Sequence, residues 1–343
     1  MPNNNGTVLR LALPSKGALE KPAMDFLANA GLRVHKPNER QYSATIPAAP
    51  GIEVLFQRVT DIFDKVADGS VDLGITGFDV VSEDTEEGDD VVVVQTLGFG
   101  RCELVLAVPE SWVDISSLAE LADLATSYKE KGRELRIATK YRNLARNWLY
   151  EHGLTYFSLV EADGALEVAP SMGYADMIAD ITSSGTTLRE NRLKMLDGGT
   201  LLKSEAVLIG NRRTLLDSQD KLQQTRLMLE LIEAHLRARK FVSITANIKG
   251  ESQEAVARLL AQEPKLSGLM GPSITPVYVK VRDGDSHAYA VTVVVERDVL
   301  LPTIDHLRKQ EGTDITVFAP DYVFDSKSWS FENLVELLKR QRR

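Results

Sequence analysis

The chain has 343 residues, 43% hydrophobic and 26% charged, with a formal net charge of −9. That length calls for two or three domains of roughly 100–150 residues, and the hydrophobic content excludes a disordered chain. The acidic balance argues against broad capture of nucleic acid or anionic membrane, so an anionic ligand must be held by a local basic pocket. Cys102 is the single cysteine, which excludes an intrachain disulfide framework and fits a reducing compartment. No segment approaches the roughly 20 apolar residues of a membrane helix, and the start has no basic stretch leading into a long apolar run. A soluble, cytoplasmic protein is expected.

In chain order, Val8 to Leu13 is an apolar run that stops at Pro14-Ser15-Lys16-Gly17, and the following residues to Leu32 place apolar side chains at helical spacing. Strand, polar loop, helix is the reading. The same grammar gives a strand at Glu53–Phe56, a helix at Val59–Asp68 and a strand at Val71–Ile75 that ends in Thr76-Gly77. Val91–Gln95 and Cys102–Val108 are further strands, with a domain crossing placed near Pro109. Beyond it come a helix at Ile115–Ala125, a strand at Leu135–Ala138, a helix at Leu144–Glu151, strands at Tyr156–Leu159 and Ala175–Ile181, and a Gly-rich turn. Lys203–Ile209 is a strand placed to return to the first domain. Leu215–Lys240 is strongly helical and reads as a connector. The tail then reads Phe241–Ile248, Glu254–Ala261, Val277–Arg282, Ala288–Val295, Val299–Gln310 and Asp314–Phe318 as β-α-β-β-α-β, the order of a ferredoxin-like sandwich. A helical tail is placed over 327–343. The expected domains are 1–108 with 205–220, 109–204, a connecting helix over 221–240, and 241–326.

The segment richest in chemistry runs from Asp176 to Asn191. An apolar strand carries Asp176 and Asp180 and delivers Thr182-Ser183-Ser184-Gly185-Thr186-Thr187, a loop of hydroxyls around one glycine. Main-chain N–H groups and hydroxyls with a glycine that permits close approach suit a phosphate, while strand-end carboxylates suit sugar hydroxyls or the magnesium that accompanies a pyrophosphate. The same residues also suit an ordinary helix N-cap and turn.

Asp180 through Asn191 resembles the phosphoribosyl-binding signature of the ATP phosphoribosyltransferase family. Leu135–Leu144 resembles that family's R-I-A-T-x-Y-P-N-L, with Arg142 where proline is usual, and Asp163–Pro170 its G-x-x-E-x-A-P turn. Ala12–Leu19, Arg58 and Val71–Val80 look like further family segments. Gly268-Leu269-Met270-Gly271-Pro272-Ser273-Ile274-Thr275-Pro276 stands near the regulatory motif of the long form, with Gly271 in place of a serine. If that serine's hydroxyl meets histidine in relatives, inhibition is expected to be weaker here.

The resemblance implies an α/β fold: a two-lobed, periplasmic-binding-protein-like catalytic core with a C-terminal ferredoxin-like α+β regulatory domain. It implies transfer of a phosphoribosyl unit from phosphoribosyl pyrophosphate (PRPP) to N1 of ATP, the first step of histidine biosynthesis, with Mg2+ and with L-histidine as inhibitor. Lys16, Arg58, Glu167 and Asp180 are its implied catalytic residues. Asp180, Thr182, Ser183, Ser184, Gly185, Thr186, Thr187 and Leu188 would hold PRPP. Ser15, Lys16, Gly17, Arg58, Gly77, Asp79 and Val80 would hold ATP, with Asp79 either accepting from the nucleotide or capping a helix. Glu167 and Asp180 are the implied magnesium partners, and Thr245, Gly271, Ser273 and Thr275 the implied histidine site. A dimer or hexamer of identical chains is implied, with no nucleic-acid or membrane partner.

Outside these motifs, His35, His152, His235, His287 and His306 fall in no catalytic pattern and read as surface or packing residues. The acid run from Glu83 to Asp90 reads as a solvated loop. Two alternatives remain at this point: a two-lobed small-molecule-binding module without catalysis, and a nucleobase phosphoribosyltransferase. The latter's paired acids before the hydroxyl loop are absent, because Thr182-Ser183 occupy that place.

Overall fold

In the computed structural model, which describes residues 8–38, 41–86, 88–162, 164–263, 268–269, 271–278 and 287–339, the chain opens with β1 (Leu9–Pro14) and α1 (Glu20–Asn29). β2 (Ser43–Thr45), β3 (Ile52–Gln57), α2 (Val59–Ala67), β4 (Leu73–Gly77), α3 (Phe78–Asp84) and β5 (Val91–Thr96) follow. Next come β6 (Cys102–Pro109), α4 (Leu118–Glu130), β7 (Leu135–Thr139), α5 (Arg142–Glu151), β8 (Phe157–Glu161) and α6 (Ala169–Met172). β9 (Met177–Thr182), α7 (Thr186–Glu190), β10 (Leu193–Ser204), β11 (Ala206–Asn211), α8 (Arg212–Leu216) and α9 (Gln219–Ala238) lead to the tail. The tail comprises β12 (Phe241–Lys249), α10 (Gln253–Leu260), β13 (Ser273–Val277), β14 (Ala288–Glu296), α11 (Leu300–Lys309), β15 (Thr313–Phe318) and α12 (Trp329–Lys339). Residues 163, 270, 279–282 and 87, on which parts of the sequence motifs, the expected 277–282 strand and the acid run fall, lie outside the described residues.

Contacts divide the chain into two units. One holds residues up to 28, 33–225 and from 332 onward, and the other holds 29–32 and 226–331. The boundary falls inside α9. The first unit contains two sheets, ordered β2-β3-β1-β4-β11-β5 and β10-β6-β9-β7-β8. β1 runs parallel to both β3 and β4, and β7 parallel to both β8 and β9. β4 is buried along its whole length, as expected of an interior strand of this mixed sheet, parallel to β1 and antiparallel to β11.

The chain leaves the first sheet after Thr96 and joins the second at Cys102, so the crossing near Pro109 is corrected: β6 hydrogen-bonds to β9 and β10. A continuous apolar run suits an interior position in either sheet and does not say which. β11 returns to the first sheet between β4 and β5, as expected. Gly198 and Gly199, whose composition suits a turn, lie in the irregular middle of β10, where the register shifts between Met195 and Thr200. Gly198 has φ +73°, and a Cβ on Gly199 would lie 2.9 Å from Leu196 Cβ, so glycine here marks a bulge and not a chain reversal.

In the second unit β12, β13, β14 and β15 form one sheet in the order β13-β14-β12-β15, every pair antiparallel. This is the ferredoxin-like arrangement. Val242, Ile244, Ala246 and Ile248 alternate with Ser243, Thr245 and Asn247 along β12, and the apolar set forms a core with Val256, Leu260, Val291, Val293 and Leu307. β13 lies earlier than the strand expected at 277–282. It is an edge strand, where Pro276 is tolerated because no ladder needs its missing N–H on both sides.

Candidate active site

Loops at the C-terminal edges of parallel strands build both halves of the site, the position where open α/β sheets bind ligands. In the first sheet, β1 delivers Ser15, Lys16 and Gly17, neighbouring β3 delivers Arg58, and β4 delivers Gly77 and Asp79. Ser15, Lys16, Lys36, Gln41, Tyr42, Arg58 and Asp61 are among the residues lining a cavity of about 480 Å3 there. Lys36 Nζ sits 4.5 Å from the centre of the Phe56 ring, so three cations surround a space large enough for a polyphosphate. Lys36 was not singled out in the sequence, since a lone lysine outside a motif gives no signal.

In the second sheet, β9 delivers the hydroxyl loop. Gly185 has φ +69°, a conformation that side chains rarely adopt, and its N–H donates to Thr182 Oγ1 at 2.9 Å. Ser184 Oγ and Thr186 Oγ1 lie 2.9 Å apart, and Arg189 Nη2 donates to Thr186 Oγ1 at 3.3 Å. Ser183, Ser184, Thr186 and Thr187 are exposed, while Leu188 is buried and anchors the short helix behind them. Leu188 is therefore a packing residue, and any phosphate contact from it comes through its main chain.

Asp180, in β9 two residues before Thr182, is half-buried, and burial pushes its carboxyl up to about 6. Its own loop N–H at Ile181 (2.8 Å) and the charge of Lys140 act in the opposite direction, and the negative charge of Glu167 adds to the rise. Glu167, Asp180 and Lys140 thus share one electrostatic neighbourhood. Among the described residues no group of three or more His, Cys, Asp or Glu is placed to hold a metal ion.

Asp79 departs from its expected place. It is 6% exposed, its Oδ2 accepts from the Tyr141 hydroxyl at 2.7 Å, and its Oδ1 accepts from Ser204 Oγ at 2.7 Å. A Cβ on Gly77 would collide with that carboxylate, so the glycine lets Asp79 fold inward. Asp79 accordingly anchors Tyr141 and Ser204, one at each carboxylate oxygen, and Val80 packs against the first sheet's core. A larger cavity of about 800 Å3 lies at the opposite edge of the second sheet, where Arg133 and Arg136 are already paired with Asp176.

The ATP phosphoribosyltransferase family matches residues 58–233, and the HisG C-terminal domain matches residues 238–319. The chain belongs to the ATP phosphoribosyltransferase family. ATP phosphoribosyltransferase 2, chloroplastic, of Arabidopsis thaliana is 41% identical over 94% of this chain and 79% of its own length. The ATP phosphoribosyltransferase of Nitrobacter winogradskyi is 35% identical over 97% of this chain and 99% of its own. Among solved structures, the ATP phosphoribosyl transferase (HisG:HisZ) complex from Thermotoga maritima has a TM-score of 0.51 at 24% identity, covering 66% of this chain and 96% of that one, and so shares the fold. With the C-terminal domain present, this ATP phosphoribosyltransferase is of the long form.

Some of its site was not legible in the sequence. Tyr141 lies in the Leu135–Leu144 motif without a role read for it, and Ser204 lies in no motif, yet both are side-chain partners of Asp79. Glu83 and Asp84 do not lie in a solvated loop but in the last turn of α3. Burial, followed by the charges of Glu83, Asp64 and Asp79, pushes Asp84 up to about 6.

Proposed function

We infer that the chain catalyses the first step of L-histidine biosynthesis in the cleft between the two sheet edges. The lone pair of adenine N1 attacks the anomeric carbon of PRPP. The bond from that carbon to the pyrophosphate oxygen breaks, giving N1-(5-phosphoribosyl)-ATP and pyrophosphate with inversion. N1 carries no proton that must first be removed, so the chain acts by alignment and by stabilising the charge that develops on the departing pyrophosphate.

The observation that carries this reading is the pairing of two complementary half-sites. The cavity ringed by Lys16, Lys36 and Arg58 suits the triphosphate of ATP. The Thr182–Thr187 loop suits the 5-phosphate, and Glu167 with Asp180 suits the ribose hydroxyls and the Mg2+ that PRPP brings. A binding module without catalysis would need neither the hydroxyl loop nor the adjacent carboxylates. Self-association of identical chains fits the exposed Val317 and Phe318 of the edge strand β15. A cytoplasmic setting agrees with the single free thiol, and no helix among the described residues is long and apolar enough to cross a membrane.

We place L-histidine on the face of the tail sheet opposite its apolar core. Thr245 and Thr292 hydroxyls lie 2.9 Å apart, Ser273 stands opposite Thr292, and Thr275 stands opposite Ala290 on the same face. Gly271 has φ +120° with no atom within 4 Å of a Cβ position, so glycine there matches the backbone and a serine would be strained.

Steady-state kinetics of single variants test the two half-sites. Lys16→Ala and Arg58→Ala are expected to raise KM for ATP, and Gly185→Val to abolish PRPP binding with the fold retained, since a new side chain would meet only the Arg189 guanidinium, 3.8 Å from the Cβ position, while φ +69° would be lost. Unchanged PRPP affinity in Gly185→Val would remove the loop from the site.

A further inference from the structure

The two sheets of the catalytic unit are joined covalently only where the chain crosses, at 97–101 and at 205. Two such crossings form a hinge, and a hinge alone leaves the distance between the half-sites free. Bond formation, by contrast, requires the reacting atoms to be held about 3–3.5 Å apart.

The contacts that remove this freedom come from α3 on the first sheet's side and α5 on the second's. Glu83 Oε1 accepts from the Asn143 N–H at 2.8 Å and Glu83 Oε2 from the Leu144 N–H at 2.9 Å, while Asn143 Nδ2 donates back to the Glu83 carbonyl at 3.2 Å. First-turn amides have no partner within their own helix and carry the positive end of its dipole. The residue at the N-cap of α5, Tyr141, makes no side-chain cap, so the carboxylate that caps this ten-residue helix is supplied by the other lobe. Next to it the Tyr141 hydroxyl donates to Asp79 Oδ2, and Ser204 Oγ donates to Asp79 Oδ1 while accepting from the Asp79 N–H at 2.9 Å. Asp79, Tyr141 and Ser204 are buried, and burial together with the charge of Asp79 holds the phenol protonated and therefore a donor. The cluster borders both half-sites: Asp79 follows the β4 loop, and Lys140, whose charge acts on Asp180, precedes Tyr141.

We propose that Glu83 is a positioning residue for phosphoribosyl transfer: its carboxylate, reinforced by the Asp79–Tyr141–Ser204 cluster, clamps α5 and fixes the separation of the two half-sites. This rests on the reading that transfer occurs between the two sheet edges. Glu83 touches neither substrate. Its loss acts on the alignment of two bound substrates and leaves each half-site intact.

The test uses full-length Glu83→Ala and Glu83→Gln, with kcat, the Kd of each substrate measured alone by calorimetry, and amide hydrogen exchange at Asn143 and Leu144. Glu83→Ala is expected to lose on the order of 100-fold in kcat, the size expected of a ~1 Å misplacement, with both Kd values little changed and both amides exchanging faster. Glu83→Gln restores part of kcat, because its amide oxygen accepts one of the two N–H groups. Full kcat in Glu83→Ala, or Kd values that weaken in step with kcat, overturns the proposal. Should Glu83→Ala not fold, Asn143→Ala removes the returned hydrogen bond, together with an exposed 3.5 Å bond from Arg146 Nη1, and is expected to lower kcat less; unchanged kcat there overturns it equally. A wild-type chain that makes no product contradicts the functional reading instead, and the clamp is then judged by exchange alone: faster exchange in Glu83→Ala supports it, and unchanged exchange overturns it.

Discussion

Asp180 is the residue whose chemistry is most sensitive to its surroundings. Its carboxyl is raised from 3.8 to about 6, first by burial and also by Glu167. The ionised form is the one that attracts magnesium and accepts from ribose hydroxyls. Affinity for Mg-PRPP is therefore expected to be full above pH 7 and to fall as pH drops through about 6, and Asp180→Asn should flatten that limb while weakening binding at pH 8. An acid limb of unchanged shape in Asp180→Asn would assign it to another group. The stability effect has the opposite sign. A raised pKa means the folded chain holds this proton more tightly than the unfolded one, so the stabilisation is present below about pH 4 and is lost as pH rises through 6. The sequence pointed to Asp180 and Gly185 through the family motif they share, since by themselves a strand-end acid and a loop glycine also suit a helix N-cap and turn. It did not show that Asp79 faces inward, because that depends on Tyr141 and Ser204, 62 and 125 residues away in the chain.

At the scale of elements, apolar periodicity located most strands and long helices, and it failed where polar or small residues sit inside an element. β10 contains Asp197-Gly198-Gly199 and reads as a turn, and its partner β6 holds it extended through the bulge. α3 ends in the acids of the run at 83–90 and reads as a loop, yet its last turn is held by the amides of α5. α9 shows how one polar pair can join an element to a sheet. Lys221 Nζ lies 2.9 Å from Asp72 Oδ1, Asp72 is 1% exposed, and its other oxygen accepts from the Arg10 N–H at 2.8 Å. Removing one partner of a buried pair leaves an uncompensated charge, so Lys221→Met is expected to destabilise the chain by about 3 kcal/mol. Adding Asp72→Asn should recover part of that loss. Denaturant unfolding of the single and double variants checks this, and additive losses would show that the two residues do not depend on each other.

For the whole molecule, the two-sheet catalytic unit and the ferredoxin-like tail were both legible from the order of apolar runs. The membership of the last helix was not. Residues from Glu332 onward group with the first unit, and Leu334 and Leu338 of α12 are buried. Cutting the chain after Lys240 would therefore remove part of the catalytic unit together with the tail, so point substitutions test histidine inhibition better than truncation does. Thr245→Val combined with Thr292→Val preserves shape and removes the paired hydroxyls. We expect it to raise the half-inhibitory histidine concentration about tenfold, equivalent to ~1.4 kcal/mol, with kcat unchanged in the absence of histidine. Inhibition identical to wild type would move the histidine site away from this face. The central claim, phosphoribosyl transfer to N1 of ATP, is tested most directly by incubating the full-length chain with ATP, PRPP and Mg2+. Pyrophosphatase draws the reaction forward, and N1-(5-phosphoribosyl)-ATP is followed by its ultraviolet absorbance. The account predicts product that depends on both substrates and is absent with Gly185→Val; a folded chain that binds both substrates and yields no product would contradict it.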